Sequence, residues 1–396
     1  MKRFDITFFF GPDPKHVVMD EVIADMAASG ITLAQLNHDT DVNRAALPVM
    51  AKYGIRADVG DPRITKLYRE DNAADADEVV RQVVADYAAF DNVEGFDICD
   101  EPHSDNFATL AAIVAAFKKY APDKETVINL YPNYASPEQL HDVDYISHLR
   151  HFAEVVKPHF ISYDHYHFLG RDQQQVAQID DTVDERERMI RESVQACTDR
   201  GGFFRNMEDV RAVGLENDLE QMLIVLLIEH GPYRNLTRAE ILWEVNVCLA
   251  YGYHRLSYFT YWNPGEDPYW RWENAMCNRD GSKCQHWYDV QSINAEVRPI
   301  GEYLFETKSA AVFHTGDPEP DTTPFAGYGK LKAVSGGNAV IGCFEGGSFY
   351  IVNRDYQNSV TLTLEADGDL TAFADGAFAP CGNEITLPAG GGILLK

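Results

Sequence analysis

The residues best suited to chemistry are acids that close short apolar runs. Asp100-Glu101-Pro102 follows Phe96-Asp97-Ile98-Cys99, and the proline forces the chain out of an extended segment at that point. Period-two alternation aims one of Asp100 and Glu101 at whatever the strand end faces and turns the other aside. A carboxylic acid in a semi-apolar pocket keeps its proton near neutrality and can donate it to a leaving oxygen. The plainer reading pairs the same carboxylate with an arginine. Glu208 and Asp164 are the candidates for a second working carboxylate, and each also reads as a hydrogen-bonded structural acid. Asn37, Asn129, Tyr131, His165, Asn206, Tyr261 and Trp262 close or follow other apolar runs and supply hydrogen-bonding and aromatic groups for a ligand. No serine or cysteine sits in a nucleophile-elbow context, so acyl transfer has little support.

His165 and His167 flank Tyr166, and in extended geometry residues two apart share a face. Both are therefore expected to point inward while Tyr166 turns away. A metal would need a third ligand such as His38, and the spacing demands none, so no metal and no cofactor is assigned. All five tryptophans (Trp243, Trp262, Trp270, Trp272, Trp287) fall in one stretch, with Tyr261 and Tyr269 among them. Sugars present apolar C–H faces that aromatic platforms bury. Trp262 is the best placed for that role. Trp243 lies inside a helical pattern and reads as core. For Trp270 and Trp272, sugar contact and loop packing are equal readings.

These groups need elements to hold them. Eight strand candidates are 5–10, 32–36, 56–59, 95–99, 126–130, 160–163, 202–206 and 255–260, each followed by a helix candidate. The clearest helices are 17–28, 76–89, 107–120, 183–197 and 238–251. Ser136-Pro137-Glu138-Gln139 and Thr237-Arg238-Ala239-Glu240 carry capping chemistry, and Gly30, Gly54 and Gly252 sit just past helix ends. Strands alternating with helices imply parallel pairing, and eight repeats imply a closed (β/α)8 TIM barrel over residues 1–305. After the first strand, Gly11-Pro12-Asp13-Pro14-Lys15 lacks the further glycines of a dinucleotide turn, so nucleotide binding is disfavoured. From about 306 short β segments separated by Gly, Asp and Asn take over, which reads as a small antiparallel β-sandwich over 306–396.

Sixty-two acidic against thirty-four basic residues leave a net charge of −28 in 396 residues. Such a surface repels phosphate backbones and anionic membranes, which argues against nucleic-acid or membrane partners. The apolar run 222–228 is far short of the ~20 residues of a membrane span. The stretch 219–228 reads as an extra helix, serving as a lid or as a contact between copies in a homo-oligomer. Seven scattered cysteines fit free thiols, and the N-terminus reads as a first strand rather than a signal peptide, so a cytoplasmic location is expected.

Four segments together carry a likeness. Asp100-Glu101-Pro102, the run from Asn129 through Tyr131 and Asn133 to Ala135, Ser162-Tyr163-Asp164-His165-Tyr166, and Ser257-Tyr258-Phe259-Thr260-Tyr261-Trp262 resemble bacterial glycoside hydrolases with a β-galactosidase-like (β/α)8 barrel. The likeness spans about 1–305, and the closing β domain is similar to theirs. It implies a carbohydrate substrate, an acid/base after strand four and a nucleophile after strand seven, hence Glu101 and Glu208. Asp100 stands where such galactosidases have asparagine, and the surroundings of Glu208 match no nucleophile motif. Three expectations follow. The first is a glycosidase removing a terminal sugar, with Glu101 as acid and Glu208 attacking or Asp164 stabilising charge, the retaining course being what the resemblance implies. The second is a substrate-assisted N-acetylhexosaminidase using Asp100 with Glu101. The third is a non-catalytic sugar-binding barrel.

Overall fold

In the computed structural model, which describes residues 4–170, 199–266 and 271–396, eight parallel strands form the first layer. They are β1 (Asp5–Phe9), β2 (Leu33–Asn37), β3 (Arg56–Gly60), β4 (Val93–Asp100), β5 (Glu125–Leu130), β6 (Phe160–Asp164), β7 (Glu220–Leu226) and β8 (Arg255–Phe259). The ladder runs β1-β8-β7-β6-β5-β4-β3-β2. The remaining seam, between β1 and β2, is bridged by Thr32 N–H donating to the Ile6 carbonyl (2.9 Å) and Ile6 N–H to Thr32 Oγ1 (3.1 Å). The result is a nearly closed barrel.

Around it lie α1 (Asp20–Ala28), α2 (Thr40–Lys52), α3 (Pro62–Arg69), α4 (Ala76–Tyr87), α5 (Phe107–Tyr120), α6 (Pro137–Leu140), α7 (Tyr145–Val156), α8 (Phe203–Asn217), α9 (Arg238–Ala250) and α10 (Gln285–Phe305). Ser136 and Thr237 close capping boxes with Gln139 and Glu240, as their spacing predicts. The helix candidate at 183–197 lies outside the described residues.

The seventh strand is not where the sequence put it. Residues 203–217 form a helix, because Phe203, Phe204, Met207, Val210 and Val213 recur at helical spacing and bury one face. The unbroken apolar run 222–228, expected in an extra helix, is instead β7 and its exit. A strand covered on both faces of a parallel barrel needs no polar alternation. This moves Asn206 and Glu208 off the strand end.

The C-terminal part holds β9 (Ser309–Thr315), β10 (Leu331–Ser335), β11 (Ala339–Phe344), β12 (Phe349–Asn353), β13 (Val360–Ala366), β14 (Leu370–Ala374), β15 (Ala377–Cys381), β16 (Glu384–Leu387) and β17 (Gly392–Leu395). They pair antiparallel in a three-stranded sheet, β10-β13-β16, and a six-stranded one, β15-β14-β17-β12-β11-β9. Ile341 and Ile351 of the larger sheet pack with Leu362 and Leu364 of the smaller. The alternate residues Val340 and Val352 join the barrel's core instead, so β11 and β12 are buried on both faces. The approach is close. A Cβ on Gly342 would fall 2.0 Å from the Ala250 carbonyl oxygen, so only glycine lets β11 rest on the end of α9. Tyr350 donates to Asn246 Oδ1 at 2.6 Å across the same junction.

Among the described residues, no helix is long and apolar enough to cross a membrane, and all six described cysteines are free.

Candidate active site

The acids at the barrel's carboxyl end are aimed by a fault in β4. Its register with β5 shifts: Asp97 faces Val127, Cys99 faces Ile128 and Asp100 faces Asn129. Ile98 is the extra residue of a bulge, which reverses the alternation and lets both Asp97 and Asp100 project inward. Glu101 then adopts a left-handed backbone (φ 47), with its N–H donating to the Asn129 carbonyl at 2.8 Å. An unbranched residue held at positive φ is uncommon and concentrates at functional sites. The expected choice between Asp100 and Glu101 therefore does not arise: the bulge and the kink bring both to the mouth.

Asn129 organises the acids. Its Nδ2 donates to Asp100 Oδ1 (3.0 Å) and Asp164 Oδ1 (3.1 Å), while its Oδ1 accepts from Ser162 Oγ (2.8 Å). Burial pushes the Glu101 carboxyl up to about 7, and the neighbouring Asp100 charge adds to the rise. Burial also lifts Asp164 well above the usual carboxylate range, with Glu101 and Asp100 contributing. Asp100 opens to the mouth, yet the protein crowded behind it still raises its carboxyl, against the pull of the Asn129 hydrogen bond. Glu101, raised to about 7, thus sits beside a more deeply buried acid whose carboxyl is also raised. Tyr131 lies next to the pair, its hydroxyl lifted by burial, Glu101 and Asp100.

Below the acids, Asp97 accepts from Gln35 Nε2 (2.5 Å) and Asn37 Nδ2 (2.6 Å), and burial pushes its carboxyl up to about 6. Asn37 and His38 stand between two adjoining hollows. One, of about 890 Å³, is also lined by Tyr68, Asp97 and Asp100. The other, of about 310 Å³, is lined by Phe9, Phe10 and Trp262. Trp262 shows only 2% of its surface, so it presents an edge to this hollow rather than an open platform. Tyr261 is fully buried and stacks on Phe8 at 5.0 Å, away from any ligand.

The histidines run opposite to expectation. β6 ends at Asp164, and the chain beyond it is no longer extended, so the two-residue rule fails. His165 is buried against Phe203, its Nδ1 3.0 Å from Asn206 Oδ1, and burial pulls it down to about 3. His167 stacks on Trp243 at 5.2 Å in the outer layer. Tyr166 is the residue that turns toward β8, stacking on Phe259 at 5.4 Å, and burial, with Asp164 and Asp100 adding to it, holds its hydroxyl well above the usual phenol value. Asn206 is a clamp within α8. Its Oδ1 accepts from Asn133 N–H (2.9 Å) and its Nδ2 donates to Tyr145 (2.8 Å), besides the His165 contact. Glu208 accepts from the Tyr251 hydroxyl (2.9 Å), which also lies 3.2 Å from His314 Nε2 of the C-terminal sheet. That position is the junction with the β domain, not the barrel mouth.

The acid that follows β7 is Glu229. It is buried, its Oε2 accepts from Asn274 Nδ2 at 2.8 Å, and its backbone pairs with Glu273. His230 beside it stacks on Trp272 at 4.6 Å and meets Tyr233 at 4.8 Å. A signal for it existed: Glu229 directly follows the apolar run 222–228, the pattern that singles out Glu101. Trp243 and Trp287 are core, while Trp270 and Tyr269 lie outside the described residues.

No protein-family model and no curated protein matches the sequence. Solved structures do match, as folds. A catalytic mutant of the family-42 β-galactosidase Gan42B from G. stearothermophilus aligns over 99% of this chain and 98% of its own, with TM-score 0.62 and 8% identity. A family-5 glycoside hydrolase from Bacteroides vulgatus aligns over 99% and 89%, with TM-score 0.58 and 11% identity. The β-galactosidase from the psychrophilic Marinomonas ef1 aligns over 79% of this chain, which spans 63% of that protein, with TM-score 0.55 and 10% identity. The chain thus has the barrel fold of glycoside hydrolases, and its structural neighbours are enzymes of that kind.

Proposed function

We propose that this protein is a glycoside hydrolase in which Glu101 is the proton donor and Glu229, not Glu208, is the nucleophile. The observation that carries the reading is the pair of glutamates leaving β4 and β7, the first held half-protonated near neutrality by burial and Asp100. Glu101 protonates the glycosidic oxygen as the bond to the anomeric carbon breaks, and the Glu229 carboxylate bonds to that carbon. Glu101, now ionised, takes a proton from the water that releases the sugar, so configuration is retained. Asn37, His38 and Tyr131 bind hydroxyls around the hollows, and the aromatic cluster of Tyr166, Tyr233 and Trp272 covers the apolar sugar face. The barrel-type likeness to glycoside hydrolases supports a carbohydrate substrate. Glu229 also supplies the second acid whose absence would have favoured a non-catalytic binding barrel.

The test uses Glu101→Gln and Glu229→Gln against a panel of alkyl and aryl glycosides. Both variants lose turnover on any accepted substrate, the Glu101 variant most severely on alkyl leaving groups, which need the proton. Azide restores a glycosyl-azide product to Glu229→Gly with inverted configuration. Unchanged turnover in either glutamine variant removes that residue from its role. One observation favours a second reading. Asp100 is turned inward beside Glu101, as substrate-assisted cleavage of an N-acetylhexosaminide would require. Tight inhibition by a thiazoline sugar separates it from the first.

A further inference from the structure

Where β4 and β5 give way to the helix layer, one corner of the barrel gathers four of the chain's thirteen histidines: His103, His141, His148 and His151. Two aspartates accompany them. Asp142 Oδ2 lies 3.3 Å from His148 Nδ1 and 3.1 Å from His151 Nδ1. The other three residues form a separate group. Pro102 and the turn Ser104–Asn106 carry His103 and Asp105 away from Glu101, and His141 ends α6 in a left-handed conformation (φ 53). The His103 and His141 rings stack with centroids 4.4 Å apart and planes at 21°. Asp105 Oδ2 lies 2.7 Å from His141 Nδ1. One potential ligand atom from each residue falls within 4.8 Å of the other two. Ser104 Oγ donates to the His141 carbonyl at 2.7 Å and ties the two loops together.

One detail is not explained by an ion pair alone. His103 Nδ1 is shut off from solvent and has no hydrogen-bond partner among the described residues. A buried imidazole nitrogen left so is costly and calls for a partner. We propose that His103, Asp105 and His141 bind a divalent first-row cation of borderline softness, with zinc as the type ion. Two imidazoles and one carboxylate are the donors that zinc takes with water in the fourth position. Magnesium and calcium prefer oxygen throughout. The stacked rings need one imidazole to turn for both nitrogens to meet one ion, and the exposed Asp105 and His141 side chains are free to follow. The ion takes no part in bond cleavage. It clips the loop that leaves Glu101 to the loop that follows β5, and so stands independently of the glycosidase reading.

Calorimetric titration of the full-length, untagged protein with Zn2+ checks this, with Co2+ as a spectroscopic probe and Mg2+ as a negative control. The expected result is one zinc per chain, no magnesium binding, and cobalt bands without thiolate charge transfer, which excludes the cysteines. Asp105→Asn and His141→Ala, both at exposed positions, each weaken zinc binding at least tenfold, and His103→Ala does the same. His151→Ala leaves it unchanged. Absence of zinc binding to the parent protein overturns the proposal. So does binding that survives His141→Ala, disappears with His151→Ala, or shows sulfur ligation.

Discussion

Asp100→Asn is the perturbation that best isolates how this site keeps a proton. Glu101 rises from the ordinary 4.5 to about 7, first through burial and then through Asp100. That rise corresponds to about 3.4 kcal/mol against ionisation. An asparagine still accepts from Asn129 Nδ2 and removes only the charge. Because burial is the larger cause, the substitution takes back less than half, so the Glu101 value drops by about 0.5–1 pH unit, or about 0.7–1.4 kcal/mol. The sign follows from the role: an acid catalyst works protonated, so activity is full below the folded value and falls tenfold per pH unit above it. The assay is kcat/KM against pH on an alkyl glycoside, whose poor leaving group makes protonation limiting. The variant matches the parent near pH 5 and is about three- to tenfold slower at pH 8, with its alkaline limb moved toward acid. A limb that stays in place or moves toward base refutes the reasoning. A uniform loss at every pH is a different signature, expected if Asp100 instead orients a substrate acetamido group.

Other substitutions probe the framework. Glu208→Gln keeps the acceptor for Tyr251 and leaves kcat/KM unchanged, because that side chain faces the β domain; a large loss of kcat with the fold intact would return Glu208 to the site. Asn206→Ala strips three contacts at once, two of them buried, and lowers unfolding free energy by about 2–4 kcal/mol in urea denaturation. Gly342→Ala forces a methyl group against the Ala250 carbonyl and destabilises the chain by about 1–3 kcal/mol, read as a lower midpoint of thermal unfolding.

The barrel was legible because its signals are periodic and local. Seven of its eight strands fall within a few residues of the apolar runs at 5–10, 32–36, 56–59, 95–99, 126–130, 160–163 and 255–260, and both capping boxes form. The failure at the seventh strand has one physical cause. A short β-like run and the first turn of an amphipathic helix look alike over five residues, and Gly201-Gly202 before Phe203-Phe204 mimics a turn before a strand. Over fifteen residues the spacing of Phe203, Met207, Val210 and Val213 decides for helix, and the run 222–228 is then left to be the missing strand.

That single misplacement moved the acid read as leaving the seventh strand from Glu229 to Glu208, so site inference in a barrel depends on strand count more than on motif. The rest of the site was hidden for other reasons. Nothing in Phe96-Asp97-Ile98-Cys99-Asp100 announces a bulge, yet that one extra residue turns Asp100 inward and sets it beside Glu101. His165 and Tyr166 exchanged faces because β6 stops at Asp164, and alternation has no authority beyond the last ladder bond. The acids themselves were readable as candidates. How far each carboxyl is raised was not, because that depends on burial and on Asn129 holding Asp100 and Asp164 from a neighbouring strand. Asn129→Ala would test this dependence: it removes the Nδ2 group that holds Asp100 Oδ1 and Asp164 Oδ1, and lowers kcat/KM even though every acid remains in the chain. Retained activity would mean that the cluster around Asn129 does not position the proton donor.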